Sequence, residues 1–355
     1  MGLECPTIDK GEIYCIREVD FISQQQGPYV KLGKTSRDTA QRLKEHQTGN
    51  PRQETAEFVL YTDMMSSLEK FLHYRFAPNC VNSEWFIMDT PTVMSDVAPL
   101  IQKLAAEHKL VRPSFDEWKK QASTLSNGTT IPANSTHKKL RATYLKLWER
   151  YKKAEANFQI SKLDVQVFIG PNNGIENMVY LITSEKIPFD KDAFLASLSS
   201  DAERDSCHKE ERKILPKAPK IDGELSLSKI DSVLNDSLKQ KKKTYDSAKP
   251  TPANLTNSSA SISTAMKTAH QAYLKSKREL KEVEWELEKI TAELVSHLGD
   301  NESIDGIITW ERKEKISKKF EKDIAKKLFS AKYSKFEGTP FTIIRRVNID
   351  DGKKY

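Results

Sequence analysis

The chain has 355 residues, 30% of them charged and 37% apolar, with 57 Lys and Arg against 50 Asp and Glu for a formal net charge of +7. That length predicts two or three domains. With no run of about 18 apolar residues a membrane-spanning helix is not expected, and Met1-Gly-Leu-Glu-Cys-Pro6 lacks the basic-then-apolar layout of a secretory signal. Cys5, Cys15, Cys80 and Cys207 are scattered without a CxxC pair, so reduced thiols in a cytoplasmic setting are expected rather than a zinc or disulfide framework. Residues 1–112 hold 13 basic against 15 acidic residues, so the net positive charge resides in the remainder. An excess of that kind suits either non-specific attraction to phosphates or a well-solvated helical surface.

In chain order, residues 12–17 and 29–33 read as short strands, with Ser23-Gln-Gln-Gln-Gly-Pro28 as the loop between them. A helix is predicted from Asp38 through His46, stopped by Gly49-Asn50-Pro51. Phe58-Val-Leu-Tyr61 reads as a third strand. Residues 66–76 place apolar side chains at helical spacing behind a Ser66 or Ser67 cap. Glu84-Trp-Phe-Ile87 is expected as a short strand or turn, followed by a helix near 92–109. The fold class expected here is α+β, with a small three-stranded antiparallel sheet flanked by helices.

The remaining two thirds of the chain are expected to be mostly α-helical and duplicated. Tyr144, Gly170 and Ile175 recur as Tyr273, Gly299 and Ile304, each at an offset of 129 residues. Each copy predicts a long charged helix ended by glycine, a short apolar turn or strand, and a second helix near 189–209 or 317–332. The Pro-, Ser- and Asn-rich stretches predict linkers. The expected organisation is therefore a first domain at 1–110, a linker at 111–135, a first repeat at 136–215, a flexible linker at 216–262 and a second repeat at 263–355. Trp148, Trp285 and Trp310 are expected in the core of the repeats. Lys241-Lys-Lys243 is expected to be a solvated run.

Six ordered patches carry a resemblance. They are Gly11-Glu-Ile-Tyr14, Val30-Lys-Leu-Gly-Lys-Thr35, Arg42-Leu43, Thr48-Gly-Asn-Pro51, Leu68-Glu-Lys-Phe-Leu-His73 and Glu84-Trp-Phe86. Together they resemble the GIY-YIG nuclease superfamily, in its phage-type DNA-binding or nuclease branch. Glu12 stands where the name-giving glycine falls, and Lys31 stands at the second tyrosine. The Leu298-Gly-Asp300 and Ile304-Asp-Gly-Ile-Ile-Thr-Trp310 segments and the terminal Arg345-Arg-Val are similar to the helical accessory region of YqaJ-type phage recombinases, without that family's carboxylate core.

The first resemblance implies a metal-dependent endonuclease that hydrolyses phosphodiester bonds. Tyr14 matches the tyrosine that contacts the attacking water, Arg42 the arginine that steadies the scissile phosphate, and Glu69 the single metal-binding glutamate. One carboxylate suffices for Mg²⁺ (or Mn²⁺), which keeps most of its waters. His46, one turn after Arg42 on the same helix face, is expected to assist water activation or bind phosphate. Lys31 is expected to assist Tyr14, Lys34 and Arg37 to contact DNA, and Asn82 to match a late asparagine. His73 is expected to pack or support. DNA is the expected partner, with a homo-oligomer or protein partner through the repeats. The alternatives are a DNA-binding module that does not cut and a helical interaction protein.

Overall fold

The computed structural model describes residues 3–47 and 52–351, apart from the side chain of His46. The Thr48–Pro51 patch lies outside the described residues. Strands β1 (Gly11–Val19) and β2 (Gln26–Thr35) form a hairpin, followed by α1 (Thr39–Gln47), β3 (Gln53–Thr62), α2 (Met65–Arg75), β4 (Cys80–Asn82) and β5 (Trp85–Ile87). The sheet order is β3-β1-β2-β5-β4, with every pairing antiparallel. The sheet therefore has five strands where the sequence led us to expect three. Central β1 is covered on both faces, so its burial is nearly continuous rather than alternating. Ile13, Cys15, Val30 and Leu32 pack against Leu68 and Leu72 of α2 on one face.

The helix expected near 92–109 is longer. A helical turn at Thr90–Thr92 and a π-helical turn at Val93–Val97 lead into α3 (Ala98–Gln121), which runs through Pro113 and occupies the first part of the expected 111–135 linker. Tertiary packing overrides the proline here. Phe115 and Trp118 beyond it are fully buried, Phe115 stacks on Trp285 at 5.6 Å, and Arg112 pairs with Asp116 one turn on.

Past α3, β6 (Thr130–Ile131) precedes α4 (Ser135–Val167), which is followed by β7 (Gly174–Ile175), β8 (Val179–Lys186), β9 (His208–Leu215) and β10 (Lys220–Ile221). Helix α5 (Ser232–Ala248) comes next, then β11 (Ser259–Ala260), α6 (Thr264–Leu298), β12 (Ser303–Ile304), β13 (Ile308–Thr309), β14 (Lys313–Phe320) and β15 (Phe341–Ile349). This region is mixed rather than mostly helical. The expected second helices are shorter, at Lys191–Ser197, Asp201–Ser206, Lys322–Leu328 and Ser330–Tyr333, because 208–215 and 313–320 pair with each other as strands instead. An aromatic cluster of Phe194 and Tyr333, with Phe189, Phe320, Phe329 and Phe336 packed on it, holds these short elements together.

Strand pairing in this region crosses between the two long helices. β6, just before α4, pairs with β12, just after α6; β11, just before α6, pairs with β7, just after α4. Both helices start with a side-chain cap, Asn134 on the His137 amide and Ser263 on the Met266 amide. Gly299 ends α6 at φ +57°, a conformation that favours glycine, and its amide bonds to the Val295 carbonyl. Trp148, Trp285 and Trp310 are buried in one cluster with Trp118, as expected of core aromatics. Within the expected 216–262 linker, α5 lies along α4. Leu234, Leu238 and Tyr245 make a half-buried stripe at helical spacing, and Lys241 pairs with Asp164 at 2.6 Å.

Candidate active site

The candidate residues gather where the sheet stops. β5 pairs with β2 from Tyr29 to Lys31; beyond that the Leu32 amide donates to the Glu84 carbonyl, and among the described residues the rest of β2 has no strand partner on that side. Tyr14 of β1 stands directly opposite Gly33 of β2. Its ring lies across that glycine so closely that a Cβ there would sit 2.5 Å from three ring and hydroxyl atoms. Glycine at 33 is thus the condition for Tyr14 to reach the open edge. The tyrosine is only 2% exposed.

Helix α1 brings Arg42 to this edge. Its N-terminus is held twice: Asp38 accepts from the Ala40 amide at 2.7 Å, and the Glu12 carboxylate accepts from the Thr39 amide and hydroxyl at 2.8 and 2.6 Å. Glu12 therefore fastens the arginine-bearing helix to the tyrosine-bearing strand. The Arg42 guanidinium lies beside Tyr14, whose phenol it draws downward in pKa, and hydrogen-bonds to Glu45 at 2.9 Å. Glu45 also receives a bidentate bond from Arg37 at 2.6 and 3.0 Å.

From the other face of the sheet, α2 supplies Glu69, whose side chain is 14% exposed. Lys34 pairs with it at 2.9 Å and donates to the Ser66 hydroxyl at 2.8 Å. Lys31 pairs with Glu84 at 3.5 Å. His73 bonds through Nε2 to the Leu32 carbonyl at 2.8 Å, which requires that nitrogen to donate, and its ring tilts on Phe86. It supports β2, as expected. Burial first, then the Glu84 charge, push the Tyr14 phenol above its ordinary range; Arg42 opposes this and Glu69 adds to it. Tyr14 is accordingly a neutral phenol at physiological pH.

Of the expected site residues, the structure brings Tyr14, Arg42, Lys34 and Glu69 to one edge, with Lys31 and Arg37 beside them in ion pairs of their own. Asn82 is exposed on β4 and, among the described residues, has no hydrogen bond to this group. The backbone of His46 continues α1, and its side chain lies outside the described residues. Glu12 and Glu45 were missed. Glu45 was legible as the i+3 neighbour of Arg42, whereas no sequence spacing reveals that Glu12 reaches across to Thr39.

Among the described residues no group of three or more His, Cys, Asp or Glu converges as a metal cage. Glu69 alone fits the lesser need of a hard divalent cation that retains water and is completed by a phosphate. It offers one half-buried carboxylate, whose charge Lys34 balances in this structure.

No curated protein and no solved structure matches this chain. Residues 11–102, about a quarter of the chain, match the model of the T5orf172 domain, a phage-associated domain related to GIY-YIG and HNH-like nucleases, and that match is compatible with a nuclease or DNA-binding role.

Proposed function

We propose that the protein is a DNA endonuclease of the GIY-YIG type, dependent on Mg²⁺ or Mn²⁺ bound at Glu69. One observation carries this reading: a buried tyrosine laid over Gly33, beside the Arg42 guanidinium and within the field of Glu69, where β5 leaves β2. Tyr14, being neutral, orients the attacking water through its hydroxyl and passes the proton toward solvent rather than waiting as phenolate. Arg42 exchanges Glu45 for the scissile phosphate and stabilises the charge that builds on it. Lys31 and Lys34, released from Glu84 and Glu69, hold flanking phosphate oxygens. Glu69 would hold the cation, which would supply positive charge for the leaving 3′ oxygen.

The C-terminal two thirds serve in this reading as a duplicated scaffold for DNA or a protein partner. Support comes from α4 and α6, whose first residues lie 129 positions apart, and from β6 and β11, and β7 and β12, which keep the same offset. We place the protein in a phage-related, cytoplasmic setting.

The test is nicking of supercoiled plasmid in Mg²⁺, Mn²⁺ or EDTA, beside Tyr14→Phe and Glu69→Ala. Metal-dependent nicking abolished in both variants supports the proposal. A second reading, a DNA-binding module that does not cut, is favoured by the Lys34–Glu69 ion pair and by Lys31 at the second-tyrosine position. Retention of DNA by the wild type with no cleavage in any metal selects it.

A further inference from the structure

β9 and β14 form a two-stranded ribbon of their own, paired over eight residues without a bulge. Opposed residues of an antiparallel pair share a face. One face carries His208 against Phe320, Glu210 against Lys318, Arg212 against Ile316 and Ile214 against Glu314. The other carries Lys209 against Lys319, Lys213 against Lys315 and Lys313 against Leu215, with Glu211 and Ser317 between. All five lysines on that face are exposed.

Two lysine pairs directly across from one another destabilise a ribbon. The carboxylates nearby relieve this little. Glu211 meets Lys213 at 2.7 Å and Glu321 meets Lys319 at 3.2 Å, both as exposed pairs. Lys213, Lys319 and Lys209 together hold the Glu211 carboxyl below its usual range, which is the expected effect of a cationic face.

The surrounding lobe is biased the same way. Residues 313–335 hold nine lysines against three acidic residues, while residues 184–206, which stand 129 positions earlier, hold three basic against six acidic. Only one of the two matching segments is cationic, so general solubility does not account for it. Along a strand, alternate side chains on one face recur about every 7 Å, and a two-stranded ribbon fits the DNA major groove, about 12 Å wide.

We propose that the lysine face of the β9–β14 ribbon docks on the phosphate backbone of duplex DNA. This rests on the reading that the protein acts on DNA, and assigns to the ribbon the sequence-independent share of binding.

The experiment uses the full chain, in EDTA, with a labelled duplex of about 30 base pairs, measured by anisotropy between about 50 and 200 mM salt. The ribbon variant combines Lys209→Gln, Lys213→Gln, Lys313→Gln, Lys315→Gln and Lys319→Gln. A control variant carries Lys239→Gln, Lys242→Gln, Lys243→Gln and Lys249→Gln around α5. The slope of log affinity against log salt falls by about 4.5 in the ribbon variant, at about 0.9 for each of the five phosphates no longer neutralised, and far less in the control. The ribbon variant also melts at a higher temperature, because the lysine repulsion is gone, so weaker binding cannot be put down to unfolding. An unchanged slope and affinity, or an equal loss in the control, overturns the docking surface alone. Failure of the wild type to bind duplex DNA at any salt overturns both it and the proposed function, and a preference for RNA over duplex DNA overturns the ribbon's assignment.

Discussion

Replacing Gly33 with alanine should damage stability and activity together, through one side chain. The new Cβ sits 2.5 Å from the Tyr14 ring, roughly an ångström inside ordinary carbon contact. Tyr14 is buried, and its strand is pinned between β2 and β3, so neither side yields freely. Overpacking of this kind costs about 1–3 kcal/mol. The displaced phenol also leaves Arg42, so plasmid nicking should fall at least tenfold while the protein remains folded. The decisive check is a double-mutant cycle by urea unfolding. In a Tyr14→Ala background the clash is gone, and Gly33→Ala should then stabilise by about 0.5–1 kcal/mol, as alanine does over glycine inside a strand. A Gly33→Ala protein of wild-type stability and activity, or the same cost in both backgrounds, would refute the packing described.

Three further outcomes are expected. Arg17 is 1% exposed and donates to Glu57 at 2.6 and 3.1 Å and to the Gly27 and Met88 carbonyls, so Glu57→Ala strands a buried cation and should cost about 3–5 kcal/mol in denaturant titration; a loss below about 1 kcal/mol would contradict that network. Glu12→Ala removes the carboxylate that caps α1 and should cost about 0.5–2 kcal/mol while lowering nicking, with Glu12→Asp intermediate. If nicking is untouched, Glu12 does not position Arg42. Burial, first, holds the His108 imidazole down at about 4, below its usual 6.5. Its folded value is depressed, so its contribution of about 3 kcal/mol is present above about pH 6.5 and is lost as pH falls toward about 4. Thermal melts across that window should show the loss, and His108→Leu should flatten it.

The sequence carried the N-terminal unit further than the rest. Alternation, and for α1 the Asp38 cap, located β1, β2, α1 and α2 to within a few residues, because each is a local pattern. The Ser66 or Ser67 cap expected for α2 does not form, since the helix begins behind Met64 without a side-chain cap and Ser66 bonds to Asp9 instead. β4 was hidden by its three-residue length, and the extension of α3 by Pro113, whose local penalty is outweighed by burial of Phe115 and Trp118. The 129-residue spacing of Tyr144, Gly170 and Ile175 with Tyr273, Gly299 and Ile304 was visible, but the pairing of β6 with β12 and of β7 with β11 was not, since it joins segments far apart in the chain. The expected helices near 189–209 and 317–332 run into the start of β9 and the second half of β14 for the same reason: charged residues without a clear period take their structure from the partner strand. At the candidate site, Tyr14, Arg42 and Glu69 were nameable from motif order. The ion pairs of Arg42 with Glu45, Glu69 with Lys34 and Lys31 with Glu84 were decided by which side chains the sheet edge brings together.

The central claim is that Tyr14 and Glu69, from opposite faces of the sheet, act as one site. Its most direct test is single-turnover cleavage of a labelled duplex by the wild type, Tyr14→Phe, Glu69→Ala and the double variant. Residues that act as a unit are not additive: each single change should lower the rate by about 10²-fold or more, and the double variant should be no slower than the worse single. Losses that multiply, or cleavage that survives both substitutions, would contradict a shared site.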